Sequence, residues 1–253
     1  MTRAPIILLH GMWGTFQSWG DIPARLEEGG WRVLPYELPG HGARREDTRK
    51  LTHYGLREHA DDLNRFIAAQ SENPIVIGHS MGGFLALKAA ETGNIKAVFM
   101  ITPAGAAGGF PFSLTNLIFF ARPLTLQLFG AQAFKPTRWE SDFALCNCIK
   151  EPERSQVFAS LQDESPWPLL QLAYWFLNPG GAAWIKWDRI NAPVRMYLAG
   201  RDRVIPRYFP SAIRNKIKDF RLHIEPDACH MVHWQKDRDR FMSWLLSELV
   251  ALP

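Results

Sequence analysis

The stretch of the chain with the clearest chemical meaning is a serine between two glycines, in the sequence Gly78-His79-Ser80-Met81-Gly82. A short apolar run precedes it, and a helical pattern follows it. A serine on a tight turn from a strand into a helix is held in a strained conformation, with its hydroxyl exposed above the sheet edge. Such a turn leaves almost no room for side chains two residues before and after the serine. The pattern therefore predicts Ser80 as a nucleophile.

A serine hydroxyl is a weak nucleophile, so it needs a base to take its proton, and the base needs a carboxylate to orient it. On a strand–turn–helix framework both partners come later in the chain, the acid before the histidine. Asp202 follows an apolar run at residues 194–199, at the carboxyl end of a predicted strand, where open α/β sheets carry their sites. The turn after the apolar run at residues 97–101 offers no carboxylate, so Asp202 is the predicted acid.

The predicted base is His230, which follows the last apolar run and a turn of small residues. His233 is the alternative. A His-x-x-His pair can also bind a metal, but no further cluster of ligands accompanies this one, so no metal site is predicted. Of the other histidines, His10 is expected to brace a loop, His79 to pack beside the serine turn, and His59 to lie at the periphery.

Attack on a carbonyl produces a negatively charged oxygen, which needs preorganised N–H donors. One donor is expected to be the backbone N–H of Met81, because N–H groups are free at the start of a helix. The other is expected from the loop after the first strand. Met12 is the first choice in that loop and Trp13 the second, and both side chains could also line a pocket.

Six short apolar runs alternate with helical patterns along the chain. Runs that are apolar throughout are typical of strands buried on both faces of a parallel sheet. Residues 56–67 carry apolar side chains at helical spacing, a second helix is predicted after Ser80, and a third includes residues 241–249. This alternation predicts the α/β class, a mostly parallel sheet with helices on both faces. The predicted strands are residues 5–10, 31–36, 75–78, 97–101, 194–199 and 220–224.

The middle of the chain, residues 106–187, interrupts this alternation. It has no clear strand and is rich in aromatic residues, so it is predicted to be a helical insertion between the fourth and fifth strands. The expected division is therefore a core formed by residues 1–105 and 188–253, with residues 106–187 inserted into it.

The composition limits the class of protein. The chain has 253 residues, of which 47% are hydrophobic and 21% charged, close to the average for a soluble globular protein. This length suits one large α/β domain or one domain with an insertion. Three cysteines (Cys146, Cys148 and Cys229) form neither a disulfide framework nor a four-cysteine zinc site, which favours a reducing compartment.

Charge and hydropathy argue against nucleic-acid binding and membrane anchoring. The net charge is 29 − 25 = +4, and the basic residues are scattered rather than arranged in a stripe. The apolar run near the N-terminus is too short for a signal peptide, and Arg122-Pro123 breaks the most apolar later segment, residues 114–129. We expect a cytoplasmic protein, either a monomer or a homodimer, without a nucleic-acid partner or a stable membrane anchor.

Together these motifs resemble the α/β-hydrolase superfamily, in its serine esterase and lipase branches. They run in the family's order across nearly the whole chain: His10-Gly11-Met12-Trp13-Gly14, Glu37-Leu38-Pro39-Gly40-His41-Gly42, Gly78-His79-Ser80-Met81-Gly82-Gly83, Gly200-Arg201-Asp202 and Cys229-His230. The resemblance implies a mostly parallel sheet of about six to eight strands, and a helical cap formed by the aromatic insertion. Serine at the nucleophile position argues against the dehalogenase and epoxide-hydrolase branches, which use aspartate there.

The resemblance implies hydrolysis of carboxylic esters through an acyl-enzyme, without a cofactor. Aromatic side chains in the cap favour a small apolar substrate, for which Trp13, Phe119, Trp139 and Trp175 are the predicted contacts. A thioesterase, a lactonase or a C–C bond hydrolase could use the same triad. A hydroxynitrile lyase is disfavoured, because Arg203 stands where such lyases carry a lysine. A small-ligand receptor on the same scaffold is the alternative outside the enzymes.

Overall fold

The computed structural model describes residues 3–45, 48–108, 125, 133–205 and 213–253. In these residues six strands form one sheet in the order β2-β1-β3-β4-β5-β6, and every neighbouring pair is parallel. The α/β class and the mostly parallel sheet are therefore confirmed. The strands are β1 (Ile6–Leu9), β2 (Val33–Pro35), β3 (Ile75–His79), β4 (Ala97–Ile101), β5 (Val194–Ala199) and β6 (Phe220–Glu225).

Alternate side chains of the central strands point to opposite faces of the sheet, so both faces are apolar. Helices cover both of them. Ile7 and Val76 belong to an apolar cluster on one face, and Ile6 and Ile75 belong to a second cluster on the other. Every residue of β1, β3, β4 and β5 is buried, which accounts for their uniformly apolar sequences.

The helices lie between the strands, as the alternating pattern predicts. Helices α3 and α4 contribute to the cluster that contains Ile7, whereas α1 and α8 contribute to the cluster that contains Ile6. The α-helices are α1 (Ile22–Glu28), α2 (Thr48–Leu51), α3 (Leu56–Ala68), α4 (Met81–Ala89), α5 (Arg138–Glu140), α6 (Glu153–Ser160), α7 (Pro166–Ala173) and α8 (Arg238–Val250). No helix among the described residues is both long enough and apolar enough to cross a membrane.

The insertion, residues 106–187, connects β4 to β5. Its described part contains helices α5, α6 and α7 and no strand, apart from one antiparallel bridge between Phe134 and Glu164. A third apolar cluster joins side chains of the insertion, such as Leu145, to Trp13 after β1 and to Cys229 after β6. The insertion therefore packs on loops that leave the carboxyl ends of the strands, the edge where parallel sheets carry their sites.

Candidate active site

Ser80 lies on the turn between β3 and α4, with φ 53° and ψ −120°. A positive φ is uncommon for a residue with a side chain, so the surrounding structure must hold this conformation. Backbone hydrogen bonds do so from the neighbouring strand, because the amide of Ser80 donates to the carbonyl of Ile101 and the amide of Ala104 donates to the carbonyl of Ser80, both at 2.9 Å. The predicted strained serine turn is therefore present.

The glycines on either side of Ser80 permit a close approach of backbones. A Cβ on Gly78 would overlap the carbonyl of Gly82, and a Cβ on Gly82 would overlap the carbonyl of Leu9 at the end of β1. Because the clashing atoms belong to the backbone, they could not rotate away. The spacing Gly-x-Ser-x-Gly is thus a steric requirement of this turn.

Asp202 and His230 form a buried pair above the sheet edge. The distance between His230 Nδ1 and Asp202 Oδ2 is 2.9 Å, and each side chain is 2% exposed. The other carboxylate oxygen of Asp202 accepts hydrogen bonds from the amides of Val204 and Ile205, at 2.7 and 3.0 Å. Three donors therefore fix the carboxylate, and the carboxylate in turn fixes Nδ1 of the imidazole, leaving Nε2 as the nitrogen that can exchange a proton.

The hydroxyl of Ser80 makes no hydrogen bond within the described part of the chain, so the predicted contact from Ser80 to His230 is not formed here. His79, the residue directly before Ser80, packs against the base, with 4.9 Å between the ring centroids of His79 and His230. Hydrogen bonds of a catalytic site are often long without substrate and tighten when it binds.

The loop after β1 runs directly past Ser80. A Cβ on Gly11 would lie 2.9 Å from the Cβ of Ser80. The amides of Met12 and Met81, the two predicted oxyanion donors, have no acceptor among the residues that the structure describes. Two backbone donors without an acceptor among the described residues therefore lie on the turn that carries Ser80 and on the loop beside it.

Trp13, the second choice for the oxyanion donor, also has a strained backbone, with φ 61°. Its carbonyl accepts a hydrogen bond of 2.8 Å from the amide of Gln162, and its buried ring packs edge-on against Phe134 at 5.6 Å. Both partners belong to the insertion. The insertion therefore holds the loop that carries Met12.

The other predicted substrate contacts lie in different surroundings. Trp139 is 58% exposed and stacks on Phe143, with 5.1 Å between the ring centroids. Trp175 is partly buried and packs against the apolar cluster that contains Ile7. Phe119 lies outside the described residues. The structure thus brings Trp13 to the loop beside Ser80, and it places Trp139 on the surface of the insertion.

A buried carboxylate that sequence reasoning missed links the insertion to the core. The distance between Glu164 Oε2 and His41 Nε2 is 3.1 Å, and that between Glu164 Oε1 and His59 Nε2 is 3.9 Å; all three side chains are fully buried. The expectation that His59 lies at the periphery was wrong. His59 is three residues after Leu56 and four before Leu63, which places it on the buried face of α3. That helical spacing was the signal in the sequence from which the burial of His59 could have been predicted.

The pKa shifts in this cluster indicate that Glu164 and His41 form a charged pair and that the ring of His59 beside them is neutral. Burial lowers the pKa of His59 to about 4, which leaves this imidazole neutral. Burial also acts against the charged form of His41, but the Glu164 carboxylate outweighs it and raises the pKa of His41. Burial likewise opposes ionisation of Glu164, yet His41 and further hydrogen bonding lower the pKa of Glu164 to about 2. Among the described residues, no group of three or more His, Cys, Asp or Glu is arranged to hold a metal ion.

The model of the alpha/beta hydrolase family matches residues 6–243, and the chain belongs to this family. Curated relatives align over most of its length. The magnesium-chelatase 30 kDa subunit of Rhodobacter capsulatus is 27% identical over 246 residues, covering 90% of this chain and 81% of that protein. The thermostable monoacylglycerol lipase of Bacillus sp. strain H-257 is 25% identical over 202 residues, covering 79% of this chain and 71% of the lipase.

Solved structures show the same fold. The methylesterase MES16 from Arabidopsis superposes with a TM-score of 0.72 at 12% identity, covering 98% of this chain and all of that one. The monoacylglycerol lipase of Paleococcus ferrophilus has a TM-score of 0.69 at 21% identity, covering 99% of this chain and 97% of the lipase. At these identities the likeness concerns the fold alone.

Proposed function

We propose that this chain is a serine hydrolase that cleaves carboxylic esters of small apolar molecules through an acyl-enzyme intermediate. The observation that supports it most directly is the buried Asp202–His230 pair, 2.9 Å apart, next to the strained turn that carries Ser80. Its membership of the alpha/beta hydrolase family, whose relatives include a monoacylglycerol lipase, supports a hydrolase in general.

In the first half of the reaction, Nε2 of His230 takes the proton of the Ser80 hydroxyl as the oxygen attacks the ester carbonyl. The carbonyl oxygen becomes an oxyanion, which accepts hydrogen bonds from the amides of Met12 and Met81. Asp202 holds the proton on Nδ1 and stabilises the imidazolium. The imidazolium then protonates the departing alkoxide, which leaves as an alcohol, and the acyl group remains on Ser80.

In the second half, water takes the place of the alcohol. His230 removes a proton from the water, and the resulting hydroxide attacks the acyl carbon through a second oxyanion intermediate at the same two amides. The bond to the serine oxygen breaks, and His230 returns its proton to that oxygen. The products are a carboxylic acid and the free enzyme.

We further propose that residues 106–187 act as a cap on the core formed by residues 1–105 and 188–253. The contacts of Trp13 with Gln162 and Phe134 support this proposal, because they join the insertion to the loop beside Ser80. The apolar cluster formed there favours an uncharged acyl or aromatic group near the scissile bond. Trp13 is the proposed substrate contact that the described residues support, and Phe119, Trp139 and Trp175 stay predictions.

A panel of p-nitrophenyl esters of increasing acyl length tests this function. We expect turnover by the wild-type protein, with higher kcat/KM for uncharged acyl chains than for charged ones of similar size. Ser80→Ala should lower kcat by about 10⁴ or more. Ser247→Ala is the matched control, because that exposed hydroxyl bonds only to the carbonyl of Trp244 in its own helix. Unchanged hydrolysis by Ser80→Ala would refute the proposal, and a preference for charged acyl groups would contradict the substrate class.

A further inference from the structure

The main-chain carbonyl of His230 accepts hydrogen bonds from two buried side chains. Nε2 of His79 lies 3.1 Å from this oxygen, and Oγ1 of Thr102 lies 3.0 Å from it. His79 is the last residue of β3 and Thr102 directly follows β4. The two donors therefore come from the ends of two neighbouring strands, of which β3 leads directly into the turn that carries Ser80.

The ring of His79 lies close to three of the four loops of the candidate site, those that carry Ser80, His230 and Met12. It is joined to Ser80 by the chain, and its centroid lies 4.9 Å from that of His230. On the side of the oxyanion loop, a Cβ on Gly11 would lie 3.1 Å from its Nδ1. A displacement of this ring would therefore shift the nucleophile, the base and the loop with the proposed oxyanion donor together, because they are closely packed around it.

A single protonation state of His79 satisfies these contacts. A carbonyl oxygen accepts hydrogen bonds, so Nε2 of His79 must carry a proton. Burial lowers the pKa of His79 well below its usual value, and the neighbouring His233 and His230 act in the same direction. The ring is therefore neutral with its proton on Nε2, and it donates to the carbonyl without adding a second positive charge beside His230.

Thr102 is held in a conformation that its residue type disfavours. It is fully buried with φ 41°, a value at which a β-branched residue is a marked outlier. Its amide donates to the carbonyl of Tyr197 on β5 at 2.8 Å, while its hydroxyl reaches His230. Strained residues of this kind persist where the surrounding structure fixes them, and here the strain sets the direction of a hydrogen-bond donor.

We propose that His79 and Thr102 are positioning residues, which fix the backbone of His230 and thereby aim its Nε2 at Ser80. His230 is then held at two points. These two donors bind its main-chain carbonyl, and Asp202 binds Nδ1 of its ring. This inference rests on the proposed function, because it concerns the same base. Misplacing a reacting group by about 1 Å can cost roughly 10² in rate, which sets the size of the effect.

Paired substitutions separate the effect of losing the hydrogen-bond donor from the effect of changing the volume of each side chain. Glutamine at position 79 keeps an N–H near the place of Nε2, whereas leucine fills space without a donor. Serine at position 102 keeps the hydroxyl, whereas valine keeps the shape without it. We expect His79→Leu and Thr102→Val each to lower kcat by about 10- to 100-fold with little change in KM. We expect His79→Gln and Thr102→Ser to recover most of that loss.

Two further readouts report on the base itself. The first is the rate at which a fluorophosphonate inactivates the protein, measured against pH; the titratable groups that face the ring of His230 are Asp202, His79 and His233. Proton NMR detects the low-field resonance of the hydrogen bond between His230 Nδ1 and Asp202. In His79→Leu and Thr102→Val we expect inactivation to slow and the resonance to weaken, because the ring leaves its carboxylate.

His233→Leu is the matched control, because it removes another buried imidazole whose centroid lies 4.8 Å from that of His79 but which makes no bond to the carbonyl of His230. We expect it to lower the melting temperature while the NMR resonance and the pH profile of inactivation stay unchanged. Equal behaviour of the leucine and glutamine variants, and of the valine and serine variants, would overturn the proposal. If His79→Leu fails to fold, the pair at position 102 decides alone.

Failure of the proposed function would look different. In that case the wild-type protein would neither hydrolyse esters nor react with the fluorophosphonate at Ser80. The NMR resonance needs no substrate, so it still tests whether His79 and Thr102 hold His230 against Asp202. An active wild-type protein whose paired variants do not separate would instead contradict the positioning role alone.

Discussion

Gly11 and Ser80 lie so close that a Cβ added to the glycine would sit 2.9 Å from the Cβ of the serine. This contact joins the loop after β1 to the turn after β3, two segments about seventy residues apart in the chain. It sets the distance from Ser80 to the backbone donors of that loop, of which Met12 is the next residue. The geometry of the proposed oxyanion hole therefore depends on the absence of a side chain at Gly11.

Gly11→Ala should displace this loop and the amide of Met12 with it. Loss of one oxyanion donor typically costs about 10² to 10³ in kcat, and we expect a loss near the lower end because the loop can relax. Steady-state kinetics with a p-nitrophenyl ester measures it. The control is Gly93→Ala, since a Cβ there would meet nothing within 4 Å; its φ of 78° should cost stability but not activity. Equal kcat in Gly11→Ala and the wild-type protein would argue against Met12 as a donor.

Asp202→Asn should separate catalysis from folding. The amide side chain can still accept from the amides of Val204 and Ile205, so we expect the loop to keep its structure. It can no longer stabilise a positive charge on His230, and a loss of about 10⁴ in kcat is the usual consequence. Kinetics together with thermal unfolding test this pair of expectations. A variant that retains a tenth or more of wild-type kcat would show that Asp202 is not the acid.

The buried pair of Glu164 and His41 predicts a stability that depends on pH. The lowered pKa of Glu164 gives a contribution that is present above the usual value of 4.5 and is lost as the pH falls toward about 2. The raised pKa of His41 gives a contribution that is present below 6.5 and is lost as the pH rises past the raised value. The pair should therefore stabilise the protein most between these limits.

Glu164→Gln tests this dependence. We expect the free energy of unfolding to fall by about 3 kcal/mol near pH 5.5, since removing one partner leaves the other charge buried. The difference from the wild-type protein should shrink below about pH 4 and at alkaline pH. Urea unfolding of both proteins across pH 3–9 measures it, with the exposed Glu72→Gln as control. A difference that does not vary with pH would show that the pair is not ionised.

The parts of the fold and site that sequence could predict are those whose signal is local. The turn around Ser80 was predictable because a buried strand, two obligatory glycines and a helix are contiguous in the chain. The proximity of Asp202 and His230 was predictable because each lies in the turn after a strand, and parallel strands end at one edge of the sheet.

The remaining features depend on contacts between distant segments. The pairing of Glu164 with His41 joins residues 123 positions apart and leaves no local pattern. Composition likewise could not separate Trp13, which is buried, from Trp139, which is mostly exposed, because an aromatic side chain can belong either to the core or to the surface. The hydrogen bonds to the carbonyl of His230 could not be predicted either, because they depend on β3 and β4 being neighbours in the sheet.

The most direct test of a nucleophilic Ser80 is covalent labelling with a fluorophosphonate, followed by peptide mass spectrometry. We expect one label per chain on the peptide that contains Ser80, no label on Ser80→Ala, and much slower labelling of His230→Ala because the base is gone. A label on another residue, or equal labelling of the wild-type protein and Ser80→Ala, would contradict it.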